Sequence, residues 1–221
     1  MFQFDRPQDP DDARVRLAVA TRQIIAELAS STASSSEFEH ARDLVEQAVG
    51  VLAERGHGRD YAGGEASLAE HHEAGTFLDY SPLVGPLNPL APPVRVRIER
   101  DGEHDVVVGT VVFGDAYEGP PGCVHGGFIA ASFDEVLGFA QSLSGQPGMT
   151  GRLEISYRSP TPLHREIRFR GRVDRIEGRK IFTSATLHHD DTLCAEAFGL
   201  FISMKPEVFQ RLMRTRAQPA D

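Results

Sequence analysis

The segment FIAASFDEVLGFAQSL, residues 128–143, is apolar on nearly every helical face. Such a helix is stable in water only when other elements wrap it, so it has to be the centre of whatever this chain folds into. What flanks it reads as strand. Before it, Val94, Val96 and Ile98 alternate with Arg95, Arg97 and Glu99, and after the Asp101-Gly102 turn a β-branched run occupies Val106 to Phe113. After it, strand signals return at Leu153 to Ser159, Glu166 to Asp174, Lys180 to His188 and Thr192 to Ser203. The second of these alternates explicitly, with Ile167, Phe169 and Val173 on one side and Arg168, Arg170 and Arg172 on the other. Two strands, a buried helix and four strands joined by short turns predict an α+β fold, an antiparallel sheet wrapped around one central helix.

That arrangement is the hotdog architecture. Alone it leaves a sheet edge and apolar surface uncovered, so a homodimer with a continuous sheet, or a dimer of such dimers, is expected. Ahead of the strands the period is helical. Asp11 and Asp12 follow Pro10 as start signals, and Leu17, Thr21, Ile24 and Leu28 recur on one face. The serines from Ser30 to Ser36 break this helix. Ser36 and Glu39 predict a capping box for a second, with Ala41, Leu44, Val45, Ala48, Val51 and Leu52 as its stripe and Gly56 as its stop. Residues 1–75 thus form an N-terminal helical extension and 76–221 the hotdog domain. The prolines of PLVGPLNPLAPP, Pro82 to Pro93, make that stretch a structured loop, because they deny backbone donors and exclude helix.

A formal charge of −9 argues against nucleic acid or an anionic membrane surface as partner, and any polyanionic ligand needs a local basic patch. Cys123 and Cys194 form neither a disulfide framework nor a metal-ligand spacing. His71 with His72, and His188 with His189, lack helical i, i+4 spacing or nearby Cys, so no metal is expected. Charges interrupt the amino terminus, no apolar run is long enough to span a bilayer, and the cytoplasm is the expected compartment.

Between the second strand and the helix stands EGPPGCVHGG. Pro121 and Gly122 turn the chain, and Gly126 and Gly127 fall where the first free N–H groups of a helix point outward, with no Cβ to block approach. Amides at the positive end of a helix suit a carbonyl oxygen that becomes an oxyanion on attack. Asp134 follows among Phe133, Val136, Leu137 and Phe139. On a helix with so few solvated faces this carboxylate is expected to be buried and its basicity raised, the setting of a general base or nucleophile. Cys123 has no Cys-His-Asn arrangement beside it and reads as a small buried turn residue.

The segment EGPPGCVHGGFIAASFDEVLG, with GMTGRLEISYRSPTP, IEGRK and AEAFGLFI downstream, resembles the PaaI-like branch of hotdog thioesterases from about Ala116 to Met204. The nearest likeness is to its mitochondrial long-chain acyl-CoA thioesterases. The resemblance implies hydrolysis of an acyl-CoA, in fatty acid metabolism, with no cofactor beyond the coenzyme A of the substrate. It implies that Asp134 activates water or attacks, that the Gly126 and Gly127 amides hold the carbonyl oxygen, that His125 polarises it, and that Thr150 hydrogen-bonds the water or Asp134. Ser156 and Arg158 of ISYRSP, and Arg179 and Lys180 of IEGRK, become the substrate-side residues, whose cations meet coenzyme A phosphates. Two other functions stay open: an enoyl-CoA hydratase, though no second His follows Asp134 at short spacing, and a non-catalytic acyl-CoA-binding protein. The nine positions from His125 to Asp134 span roughly 13 Å as helix, too far to share one carbonyl. Each site is therefore expected to draw on two chains.

Overall fold

The computed structural model describes residues 11–54, 78–146 and 148–204. Six strands alternate as expected around the apolar helix: β1 (Arg95–Asp101), β2 (His104–Val112), α3 (Gly126–Ser142), β3 (Gly148–Tyr157), β4 (Glu166–Glu177), β5 (Lys180–His189) and β6 (Thr192–Ser203). They form one antiparallel sheet in the order β1-β2-β4-β5-β6-β3. Ile167 and Phe169 of β4 point into the core and Arg168 and Arg172 out, as the alternation required.

The helix lies so close to the sheet that two strands need glycine beneath it. A Cβ on Gly109 or Gly171 would sit 3.0 Å or 3.1 Å from a Val136 methyl. Phe133 meets Phe169 edge to face at 5.1 Å, and Phe113, Leu137, Ile167, Ile181 and Leu187 fill the space around them. Truncating a fully buried phenylalanine such as Phe133 to alanine costs about 3–5 kcal/mol, so this layer fixes the position of α3 and of whatever α3 carries. β3 closes one side of the sheet, bonded among the described residues to β6 alone, with Met149 and Tyr157 exposed along it.

Among the described residues two helices precede the sheet, α1 (Ala13–Ser30) and α2 (Ser35–Ala53). The capping box of α2 is made by Ser34 and Glu37 rather than Ser36 and Glu39, because the chain leaves its extended conformation two residues earlier than the sequence spacing suggested. Gly56 lies outside the described residues. α1 packs against a 3-10 turn at Asp115–Tyr117, using Val15, Ala18, Arg22 and Ile25, whereas the stripe of Leu17, Ile24 and Leu28 stays exposed. No helix among the described residues is long and apolar enough to cross a membrane.

Candidate active site

The two ends of the candidate chemistry are held by different parts of β3. At the start of α3, the Tyr117 carbonyl accepts the His125 N–H at 2.8 Å and the Thr161 carbonyl accepts the Val124 N–H at 2.9 Å. Gly119 presses on the same point, where a Cβ would lie 2.7 Å from the His125 Cα. His125 is the N-cap, and its Nδ1 accepts the Gly127 N–H at 3.0 Å. The Tyr157 hydroxyl donates to the Gly126 carbonyl at 2.8 Å. The Gly126–Gly127 peptide is thus gripped on both sides.

This alters one expectation. The Gly127 N–H is engaged by the imidazole and is not free to receive a carbonyl oxygen; among the described residues the unengaged first-turn donor is the Gly126 N–H. With Nδ1 accepting, a neutral His125 ring carries its proton on Nε2, so the ring itself presents a second donor.

Asp134 sits two helical turns further on, and its Oδ1 accepts the Thr150 hydroxyl at 2.8 Å. Thr150 lies inside β3 rather than just before it, beside the register shift between Thr150 and Arg152 that re-aims the strand edge. In the single chain Asp134 is half-buried, not buried as expected, because its face of α3 looks toward the open side of β3. The more desolvated carboxylate is its neighbour: burial raises Glu135 above its ordinary value, a 2.9 Å bond from the Ser81 hydroxyl opposes this, and the nearby Asp134 adds to it.

The substrate-side candidates divide in the same way. Ser156 and Arg158 lie near the Gly126 end, and Arg158 forms an ion pair with Glu196. Arg179 and Lys180 lie at the other end of the sheet, where Met149 pairs with Ile202 and Ile202 with Lys180. Arg179 is spent on the Ser203 carbonyl at 2.9 and 3.0 Å, and Lys180 is exposed. Arg168, Arg170 and Arg172 pair with Glu99, Asp101 and Asp174. Cys123 is half-buried rather than buried, as its loop skirts the surface. Among the described residues no cluster of three or more His, Cys, Asp or Glu could hold a metal ion.

Two tyrosines escaped the sequence reading. Tyr157 stands between the nominated Ser156 and Arg158, so the only signal was strand alternation placing it on the opposite side. Tyr117 gave none, since its contribution is a backbone carbonyl and an aromatic wedge against Phe113 and Phe128.

Residues 121–196 match the family described as Thioesterase superfamily. The chain is similar to acyl-coenzyme A thioesterase THEM4 of Xenopus laevis, 40% identical over 95 residues, 42% of this chain and 43% of that protein. Similarity to THEM4 of Bos taurus is 40% over 96 residues, 42% of this chain and 39% of that protein. The chain therefore spans about two fifths of the length of these curated relatives. A crystal structure described as a thioesterase superfamily protein superposes over 88% of this chain and 97% of its own, with 31% identity and a TM-score of 0.73. Residues 76–221 make up only about two thirds of the chain, so that likeness takes in part of the helical extension.

Proposed function

The chain belongs to the thioesterase superfamily, and on that premise we propose that it hydrolyses the thioester of an acyl-coenzyme A. The observation that carries this reading is the Asp134 carboxylate, fixed through Oδ1 by Thr150 with Oδ2 unengaged among the described residues, on a helix whose Gly126 N–H is also unengaged. A positioned carboxylate and an oxyanion donor are the two groups thioester hydrolysis needs.

Those groups lie at opposite ends of β3, and the eight positions from Gly126 to Asp134 span roughly 12 Å of helix. We infer that each site joins two chains of a homodimer. Antiparallel pairing of β3 with its own copy, about a two-fold axis at Glu154 once the bulged Gly151 is left out of the register, would set Thr150 of one protomer opposite Tyr157 of the partner subunit. It would thereby bring Asp134 to the partner's Gly126 amide. Such pairing continues the sheet across its open edge, and it places Ser156 and Arg158 of one chain in one site with Lys180 of the other.

In this site the thioester oxygen rests on the Gly126 N–H and the His125 Nε2–H. Asp134 takes a proton from water, the hydroxide adds to the carbonyl carbon, and the oxyanion collapses with loss of the thiolate, which recovers the proton from Asp134. The same geometry serves direct attack by the carboxylate through an anhydride that water then opens. Lys180 supplies charge for the remote phosphates. Incubating the protein with short, long and aromatic acyl-CoAs and a thiol reagent tests the assignment: thiol release is expected. Hydration of an enoyl-CoA without thiol release would make it a hydratase, and binding without either would make it a carrier.

A further inference from the structure

α1 is bound to the parts of the domain that hold the catalytic helix. It lies on the Asp115–Tyr117 turn with Ala18 buried. Its Arg22 reaches the proline-rich strap of residues 80–93, the guanidinium donating to the Pro86 carbonyl, while Arg14 pairs with Asp12 at the helix start. The Nε of Arg22 is buried, next to Tyr117, without a partner among the described residues. A donor left so is a standing cost in a folded protein.

Strap and turn both continue to α3. The strap's Ser81 holds Glu135, the residue after Asp134, at 2.9 Å. Tyr117 joins the two, donating its hydroxyl to the Leu90 carbonyl at 3.2 Å and wedging its ring against Phe128 at 4.8 Å. Its own carbonyl takes the His125 N–H at 2.8 Å, and that bond sets the plane of the residue whose ring and following amide face the substrate oxygen.

We propose that α1 is a brace of the active site and that Arg22 is a positioning residue, holding the strap and the Tyr117 turn so that His125 and the Gly126 amide keep their orientation. The kinetic part of this proposal rests on the thioesterase reading; the structural part does not. A donor displaced by a fraction of an ångström stabilises the transition state less while the remote nucleotide still binds, so the loss falls on kcat and not on KM.

The test uses the full chain with Arg22→Ala and Arg22→Lys, comparing amide hydrogen exchange by NMR, kcat and KM for acyl-CoA, and Tm. Arg22→Ala should speed exchange of the His125 N–H at least about ten-fold and lower kcat roughly ten-fold, with KM unchanged within about two-fold. Arg22→Lys can still reach the Pro86 carbonyl and has no Nε–H to orphan, so it should restore both. The proposal is overturned if α1 amides exchange freely while His125 protection and kcat stay at wild-type values, or if kcat per folded molecule is unchanged and only Tm falls. Arg22→Gln takes the place of the alanine variant should that one not fold. Were the wild type to hydrolyse no acyl-CoA, the thioesterase reading would fail, and His125 exchange alone would decide the brace.

Discussion

Two inactive variants, mixed, should recover activity if each site is built from two chains. Asp134→Asn keeps an oxygen for the Thr150 hydroxyl, now 2.8 Å from Oδ1, and so preserves the local structure. It removes the proton acceptor and should lower kcat at least about 100-fold, the low end for general base catalysis. Gly126→Val attacks the other half. A Cβ there would stand 3.3 Å from the Tyr157 hydroxyl and 3.4 Å from its Cζ, so the branched side chain crowds the ring and covers the amide. Unfolded together in equal amounts and refolded, the chains pair at random; half of the dimers are mixed, and each mixed dimer has one intact site of two. The mixture should show about a quarter of wild-type activity, roughly 25-fold above either variant alone at about 1%. Thiol release from acyl-CoA is the assay, with mixed dimers verified by mass. If verified heterodimers remain as inactive as the parents, both groups act within one chain and the argument from helix rise is wrong. Near-normal turnover by Asp134→Asn alone would remove that residue from the mechanism.

Lys180→Ala should raise KM for acyl-CoA and leave a short pantetheine thioester unaffected, because only contact with the remote nucleotide is lost; equal damage to both substrates would make Lys180 structural. Arg179→Ala should in addition lower Tm, since its guanidinium holds the Ser203 carbonyl at the end of β6. Tyr157→Phe removes the donor to the Gly126 carbonyl, a bond worth about 0.5–1.5 kcal/mol. It should therefore cut kcat by up to about ten-fold with little change in KM, and an unaltered kcat would show that His125 alone orients that peptide. Glu135 binds its proton more tightly folded than unfolded, so the folded state is favoured at low pH and its contribution is lost as pH rises above the ordinary carboxylate value of 4.5. Urea midpoints measured from pH 4 upward should fall more steeply for wild type than for Glu135→Gln, and parallel curves would refute the assignment.

The sequence by itself determined the elements and their faces. The period-2 alternation of Ile167, Phe169 and Val173 with arginines, and the all-round apolar character of residues 128–143, are local properties that a chain displays before it folds. The bare glycines after His125 and the lone Asp134 were legible for the same reason, each being chemically conspicuous in its stretch. Tertiary structure decided the rest, because it depends on what lies opposite. Asp134 is half-buried and Glu135 desolvated because the strap bearing Ser81 covers one side of α3 and, among the described residues, nothing covers the other. The Gly127 amide is taken because the His125 ring turns back on its own helix, and Gly126 is gripped by Tyr157 from 31 residues away. The exposed stripe of α1 and its docked Arg22 face are alike amphipathic in sequence; contact with the Tyr117 turn selected between them. Hydrophobic pattern specifies which way a side chain faces relative to its neighbours in the chain, whereas solvation, hydrogen-bond partners and basicity are set by atoms brought in from distant positions, and those are fixed only when the sheet closes around the helix.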